Sequence, residues 1–115
     1  MRTRQEIFDI ACKGLLTQMK KSEGAEKCLY RGPDGTKCAI GFLISDETAA
    51  DFNESSVGSL PFRVIQNEIG LSGTRDNLYF LADLQAVHDS GEPEEWEGLL
   101  KALATKEGLV FNGRG

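Results

Sequence analysis

The sequence lacks a long apolar run and an apolar leader. In 115 residues the longest apolar stretch is 39–44, and Gly41 interrupts it. A helix that crosses a bilayer needs about 20 apolar residues, so we expect no membrane partner. Residues 1–6 are mostly charged or polar, which is not the pattern of a secretory signal. The pattern therefore predicts a cytoplasmic protein.

Cysteine and histidine are also scarce. The three cysteines, Cys12, Cys28 and Cys38, form an odd set that is too small for a disulfide scaffold. In a reducing compartment they are thiols by default. His88 is the single histidine.

Positive charge is scarce in the larger part of the chain. Residues 46–107 hold four Lys or Arg against thirteen Asp or Glu, whereas residues 1–37 hold eight against five, and the net charge is −5. A duplex-binding protein needs a basic face to displace counterions, so we expect no direct contact with nucleic acid. A basic protein surface is the better electrostatic match.

Helical periodicity dominates the chain, and its length suits a single domain over 1–115. The pattern predicts a helix over 3–20, with Thr3 as its cap and Met19 on its inner face. Further helices are predicted over 59–70, 74–90 and 93–108, the last with Trp96, Leu99 and Leu100 inward, and a helical turn is favoured over 39–44. Residues 46–58 are polar and predict an exposed loop.

A turn pattern occupies Gly32-Pro-Asp-Gly, between two short β-like runs in residues 28–38. It predicts a hairpin that brings Cys28 and Cys38 together in a buried position, packed by Tyr30 and Ile40. The predicted fold class is therefore mostly α: a compact bundle of about five helices with one small β-hairpin (α+β).

Two chemical readings of the cysteines compete with a purely structural one. Cys28 and Cys38 could hold zinc with His88 and Asp89, although nine intervening residues do not form a zinc knuckle. Cys38, His88 and Asp89 could instead form a thiol hydrolase. Since His88 and Asp89 are adjacent on a predicted helix, we expect Asp89 not to orient the His88 ring. The favoured interpretation is that the cysteines are small buried side chains and that no cofactor is needed.

Acidic side chains are the candidate partner-binding residues. They could equally be a solvated face that keeps the protein soluble. Tyr30 and Arg31, on the hairpin, form an alternative contact. The acidic candidates are Glu47, Asp51 and Glu54 in the predicted loop, and Glu92, Glu94, Glu95 and Glu97 around the start of the last helix.

Several blocks occur in an order that points to one family. They are Cys28-Leu-Tyr-Arg, then Asp34-Gly-Thr-Lys-Cys-Ala-Ile-Gly-Phe-Leu-Ile, then Leu84-Gln-Ala-Val-His-Asp, followed by Trp96 and a leucine-rich helix. This pattern resembles a family of small bacteriophage and prophage proteins with no assigned reaction. Ser45 departs from it, since the family usually has proline there. The resemblance implies a bacterial cytoplasm and a host-directed role, as in counter-defence proteins such as inhibitors of CRISPR complexes.

Together these observations favour a non-enzymatic phage or prophage accessory protein that binds a host protein or nuclease complex. A thiol- or zinc-dependent enzyme that uses Cys28, Cys38 and His88 is the alternative, and a structural helper of the virion or genome is a third.

Overall fold

Five α-helices and two 3₁₀ turns organise the described part of the chain. The computed structural model describes residues 2–22, 30–32, 35–52 and 60–113. The helices are α1 Arg4–Gln18, α2 Asp46–Phe52, α3 Phe62–Val64 with its π-helical continuation Ile65–Ile69, α4 Arg75–Ser90 and α5 Trp96–Glu107; the 3₁₀ turns are Ile40–Leu43 and Pro93–Glu95.

A capping box starts α1. The Thr3 hydroxyl accepts the Glu6 N–H at 3.1 Å, and the Glu6 carboxylate accepts the Thr3 N–H at 2.8 Å. Two of the free donors at the helix start are thereby satisfied. The helix ends at Gln18 because Met19 adopts a left-handed conformation, with φ 51°, and donates its N–H to the Leu15 carbonyl. The predicted start is confirmed, and the end comes slightly earlier than predicted.

Helix α2 occupies part of the segment that the sequence predicts as a loop. Ser45 precedes it, and its hydroxyl accepts the Thr48 N–H at 3.2 Å. Asp46 and Glu47 follow in the first turn, where the helix dipole favours carboxylates. The loop prediction is therefore wrong for 46–52, because a serine cap and two acids start a helix despite the polar composition. Residues 53–59 lie outside the described ranges.

The π-helical continuation of α3 ends at a left-handed glycine, shortly before α4. Gly70, with φ 94°, donates its N–H to the Ile65 carbonyl at 2.9 Å, which is the five-residue spacing of a π turn. At Thr74 the hydroxyl accepts the Asn77 N–H, and α4 starts there as predicted.

The predicted β-hairpin is not supported. The described residues contain one antiparallel bridge, between Arg31 and Lys37, and no strand. Beside this bridge the Gly32 N–H donates to the Thr36 carbonyl at 2.8 Å, whereas the backbone groups of Lys37 face away from Arg31 and are bonded to α1. The Gln18 side chain donates to the Lys37 carbonyl and accepts the Lys37 N–H, both at 2.8 Å. The chain then turns into the 3₁₀ segment at Ile40. The turn residues 33–34 and Cys28 lie outside the described ranges.

The core lies where α1, α4, α5 and the Ile40–Leu43 turn meet. The chain's radius of gyration, 12.8 Å, is that of a compact fold of this length. Met19 and Leu99 were predicted to face inward, but each is 38% exposed. In the ranges described above, no helix combines the length and apolar character needed to cross a bilayer. The largest fully buried side chains include Ile7, Phe8, Leu15, Ile40, Ile65, Ile69, Phe80, Leu81, Leu84, His88, Trp96 and Leu100.

Candidate functional site: an acidic groove and a buried histidine

The four glutamates around the start of α5 have different surroundings. Glu95 is part of the helix start, since its carboxylate accepts the Glu92 N–H at 3.0 Å and its own N–H donates to the Glu92 carbonyl at 2.8 Å. The Glu92 carboxylate lies 3.8 Å from the Lys21 ammonium and is mostly exposed, so this ion pair contributes little. The local contacts of Glu92 and Glu95 therefore explain why acidic residues occupy these two positions.

Glu94 and Glu97 instead line a groove between the end of α1 and the start of α5. The groove has a volume of about 580 Å³, and Leu16, Met19 and Pro93 supply apolar side chains to it, beside Gly113. Both glutamates are exposed. The groove thus combines apolar side chains with two carboxylates.

These two carboxylates are weakly compensated. The Lys101 ammonium lies 3.7 Å from Glu97, in an exposed pair spaced four residues apart on α5. Such pairs are worth about 0.3–0.5 kcal/mol. Glu94 makes no ion pair or hydrogen bond with any residue that the structure describes. The rim of the groove therefore carries net negative charge.

Helix α2 presents a second exposed acidic pair. Glu47 and Asp51 are both exposed and are four residues apart, on the same side of the helix. Their neighbour Asp46 is used internally, because its carboxylate accepts a hydrogen bond from Arg31 at 2.9 Å. The third predicted acid of this segment, Glu54, lies outside the described residues.

The alternative contact formed by Tyr30 and Arg31 faces inward. Tyr30 is only 3% exposed. The Arg31 guanidinium donates to the carbonyls of Gly41 at 2.7 Å and Ile44 at 2.9 Å, besides its bond to Asp46. The structure therefore uses Arg31 to tie the Ile40–Leu43 turn to the segment before it.

His88 is fully buried, and both its ring nitrogens have partners. Its Nε2 accepts the Ser22 N–H at 2.9 Å. The neutral ring therefore carries its proton on Nδ1, which donates to the Asp89 carboxylate at 2.9 Å. Gln85 donates to the same carboxylate oxygen at 3.0 Å and accepts the Ile40 N–H at 3.1 Å. His88 thus joins α4 to the segment that follows α1.

The expectation that Asp89 does not orient the His88 ring is wrong. The angle between neighbouring residues on a helix describes only the directions in which their side chains leave the axis. The Nδ1 atom is the ring nitrogen of histidine that lies nearest the backbone, so a neighbouring side chain can reach it despite that angle. The short Asp89 side chain reaches it at the last turn of α4. His88 lies in the last turn of α4, and its ring is in the core.

Cys38 has the environment of a structural thiol. It is 1% exposed, and burial raises the pKa of its thiol to about 11, so the thiol stays protonated at neutral pH. Both nucleophilic attack and metal binding require the thiolate form of cysteine. The two ring nitrogens of His88 already have hydrogen-bond partners, the Ser22 N–H and the Asp89 carboxylate. Within the ranges that the structure covers, no three His, Cys, Asp or Glu side chains form a metal-binding group. Since Cys28 lies outside those ranges, the zinc set of Cys28, Cys38, His88 and Asp89 remains a prediction.

Two features of the site were missed from the sequence. Met19 was placed on the buried face of α1, whereas it lines the groove. The signal was available, because Met19 is followed by Lys20-Lys21-Ser22, a polar stretch in which a helix can end. The sequence contains no indication that Pro93 and Leu16 lie close together. They are separated by 76 intervening positions, and only the packing of the helices brings them to the same groove.

The chain gives no match to known protein-family models, to curated proteins or to solved structures.

Proposed function

We propose that this protein is a phage or prophage accessory protein that acts by binding a host protein, and that the binding surface is acidic. Inhibition of a host defence complex is one form that such a role takes. The family resemblance in the sequence supports the phage origin and the bacterial cytoplasm as the place of action.

One observation carries the binding proposal. Glu94 and Glu97 are exposed beside apolar side chains in a groove, while neighbouring Glu95 is bonded into the helix start. Exposed charge beside apolar side chains is the composition of a protein interface, in which a polar rim surrounds an apolar centre. Charge at such a rim accelerates encounter with an oppositely charged partner and fixes its orientation.

Affinity capture from a bacterial lysate with quantitative mass spectrometry tests the proposal. The wild type should retain a specific protein at about 50 mM salt and lose much of it at about 500 mM, because salt screens exposed charges. The variant Glu94→Lys/Glu97→Lys should lose that protein. The variant Glu47→Lys/Asp51→Lys changes the net charge by the same amount and serves as the matched control.

The outcomes separate the two acidic surfaces. If only the α2 variant loses the partner, the contact is the Glu47 and Asp51 pair and not the groove. If neither variant loses it, the acidic contact is wrong. Circular dichroism of both variants checks that loss of the partner does not come from unfolding, because Glu47 and Glu97 lie in first helical turns, where the dipole favours carboxylates.

A further inference from the structure

We propose that the groove between α1 and α5 receives a basic segment of the partner protein, in which one apolar side chain is flanked by lysine or arginine. This inference rests on the proposed function, because it specifies the chemistry of the partner. The apolar side chain would enter between Leu16, Met19 and Pro93. The flanking cations would pair with Glu94 and Glu97.

The apolar part of the groove suits a single anchoring side chain. Leu16 is 6% exposed, so it forms a rigid base, whereas Met19 is 38% exposed. Methionine is unbranched and polarizable, and it adapts its shape to different apolar partners. The volume of about 580 Å³ leaves room for the anchoring side chain together with the backbone on either side of it.

Met19 ends α1 in a left-handed backbone conformation. Met19 is the only non-glycine residue with positive φ in the described part of the chain, and the other such positions are Gly35, Gly70, Gly108 and Gly113. A left-handed conformation is unfavourable for a residue with a side chain, and glycine avoids that strain. The chain therefore has methionine where glycine would be less strained, and that side chain lines the groove.

The negative charge of the groove's rim favours a positively charged partner. Glu94 and Glu97 are three residues apart across the start of α5, so their side chains lie on the same side. Two like charges at that spacing repel, and a cation between them would relieve the repulsion. Nucleic acid and anionic lipid carry the same sign as the rim and as the net charge of −5, so both are disfavoured.

Methionine labelling gives a direct readout of this groove. The chain has two methionines, Met1 and Met19, so protein labelled with ¹³C-methyl methionine gives two methyl resonances. Met19→Leu assigns them. The probe is a blocked pentapeptide with leucine between two lysine pairs. We expect it to shift the Met19 methyl resonance in a saturable way and to leave the Met1 resonance in place.

A second pentapeptide, with serine in place of leucine, carries the same charge without the anchor. We expect it to bind about tenfold more weakly, because it has no apolar side chain to bury in the groove. A third, with leucine between two glutamate pairs, should not bind. Equal binding of the leucine and serine peptides would overturn the proposal, since attraction by net charge alone would then explain both.

Charge-neutral variants test the rim. Glu94→Gln/Glu97→Gln should weaken the leucine peptide about tenfold, whereas Glu47→Gln/Asp51→Asn removes the same charge elsewhere and should leave the affinity unchanged. Equal losses in the two variants would overturn the assignment to this groove. A Met19 resonance that moves with protein concentration alone would also overturn it, because a second copy of the chain would then be the occupant.

The peptide and lysate experiments fail independently. If the peptides behave as expected but Glu94→Lys/Glu97→Lys retains every captured protein, the groove has the proposed chemistry and the proposed function is wrong. If that variant loses a host protein but the leucine peptide does not bind, the function stands and a basic segment is not the ligand.

Discussion

The imidazole of His88 stacks on the indole of Trp96, with ring centroids 5.5 Å apart and an angle of 26° between the planes. Both side chains are fully buried. The Trp96 Nε1–H donates to the Gly91 carbonyl at 3.2 Å. Because His88 also accepts the Ser22 N–H, this pair of rings connects the end of α4, the start of α5 and the segment after α1.

Trp96→Ala should lower the free energy of unfolding by about 3–5 kcal/mol, the range for removal of a large buried aromatic side chain. Domains of this size are stable by about 5–15 kcal/mol, so the variant should be close to unfolding. Urea denaturation followed by circular dichroism measures the loss. Tyr79→Ala removes an aromatic side chain that is 61% exposed and should cost under about 1 kcal/mol. Similar losses in both variants would contradict the anchoring role of Trp96.

Tyr30→Phe should leave the stability unchanged or raise it by about 1 kcal/mol. The Tyr30 hydroxyl is buried and has no hydrogen-bond partner in the described structure, and an unsatisfied buried polar group costs about 1–3 kcal/mol. Urea midpoints of the variant and the wild type test this, with Tyr79→Phe as the exposed control. A loss above about 1 kcal/mol in Tyr30→Phe alone would show that the hydroxyl is satisfied in solution.

The buried thiols should resist labelling in the native protein. Burial, with a smaller effect from the charge of Asp9, raises the pKa of the Cys12 thiol to about 12, and burial raises that of Cys38 to about 11. In a Cys28→Ser variant at pH 8, an aromatic disulfide reagent should therefore label neither thiol within minutes. Both should react at once in guanidinium chloride. Rapid native labelling of either would show that α1 or the segment before the 3₁₀ turn opens easily.

The stability contributed by Glu68 should disappear at acidic pH. Burial opposes ionisation of this carboxyl, but hydrogen bonds from Thr48 and Ser45 outweigh it and lower its pKa. A lowered pKa in the folded state means that the stabilisation is present above the unfolded pKa of about 4.3 and is lost as the pH falls through the folded value. Glu68→Gln should thus be less stable than the wild type at pH 7, by about 1 kcal/mol.

Urea midpoints measured from pH 7 to pH 2 test that prediction. The difference between Glu68→Gln and the wild type should shrink toward zero below the pKa of Glu68, where both proteins carry a neutral side chain. A constant difference across this range would show that the effect of the variant is steric and not electrostatic.

Local sequence signals predicted the helices well where caps and periodicity agree. Thr3 caps α1 as expected, α4 starts at Thr74 as expected, and Gly70 ends the helix that was predicted over 59–70. The same kind of signal exists at Ser45, yet the polar composition after it favoured a loop. Composition was misleading there, because Thr48 and Ala49 supply enough buried surface for a short helix.

The sequence by itself determined the helical class, the burial of Trp96 and the negative charge of the larger part of the chain, because each follows from composition or from spacing within one element. Tertiary structure decided what the acids and polar groups do. It turned the chain into a 3₁₀ segment at Ile40, so the pairing of Arg31 with Lys37 does not extend into a strand in the described residues, and it placed Glu94 and Glu97 beside Leu16 and Met19 of the α1 end, at the border of a groove. Those contacts depend on how elements distant in sequence pack, and local periodicity carries no information about that packing.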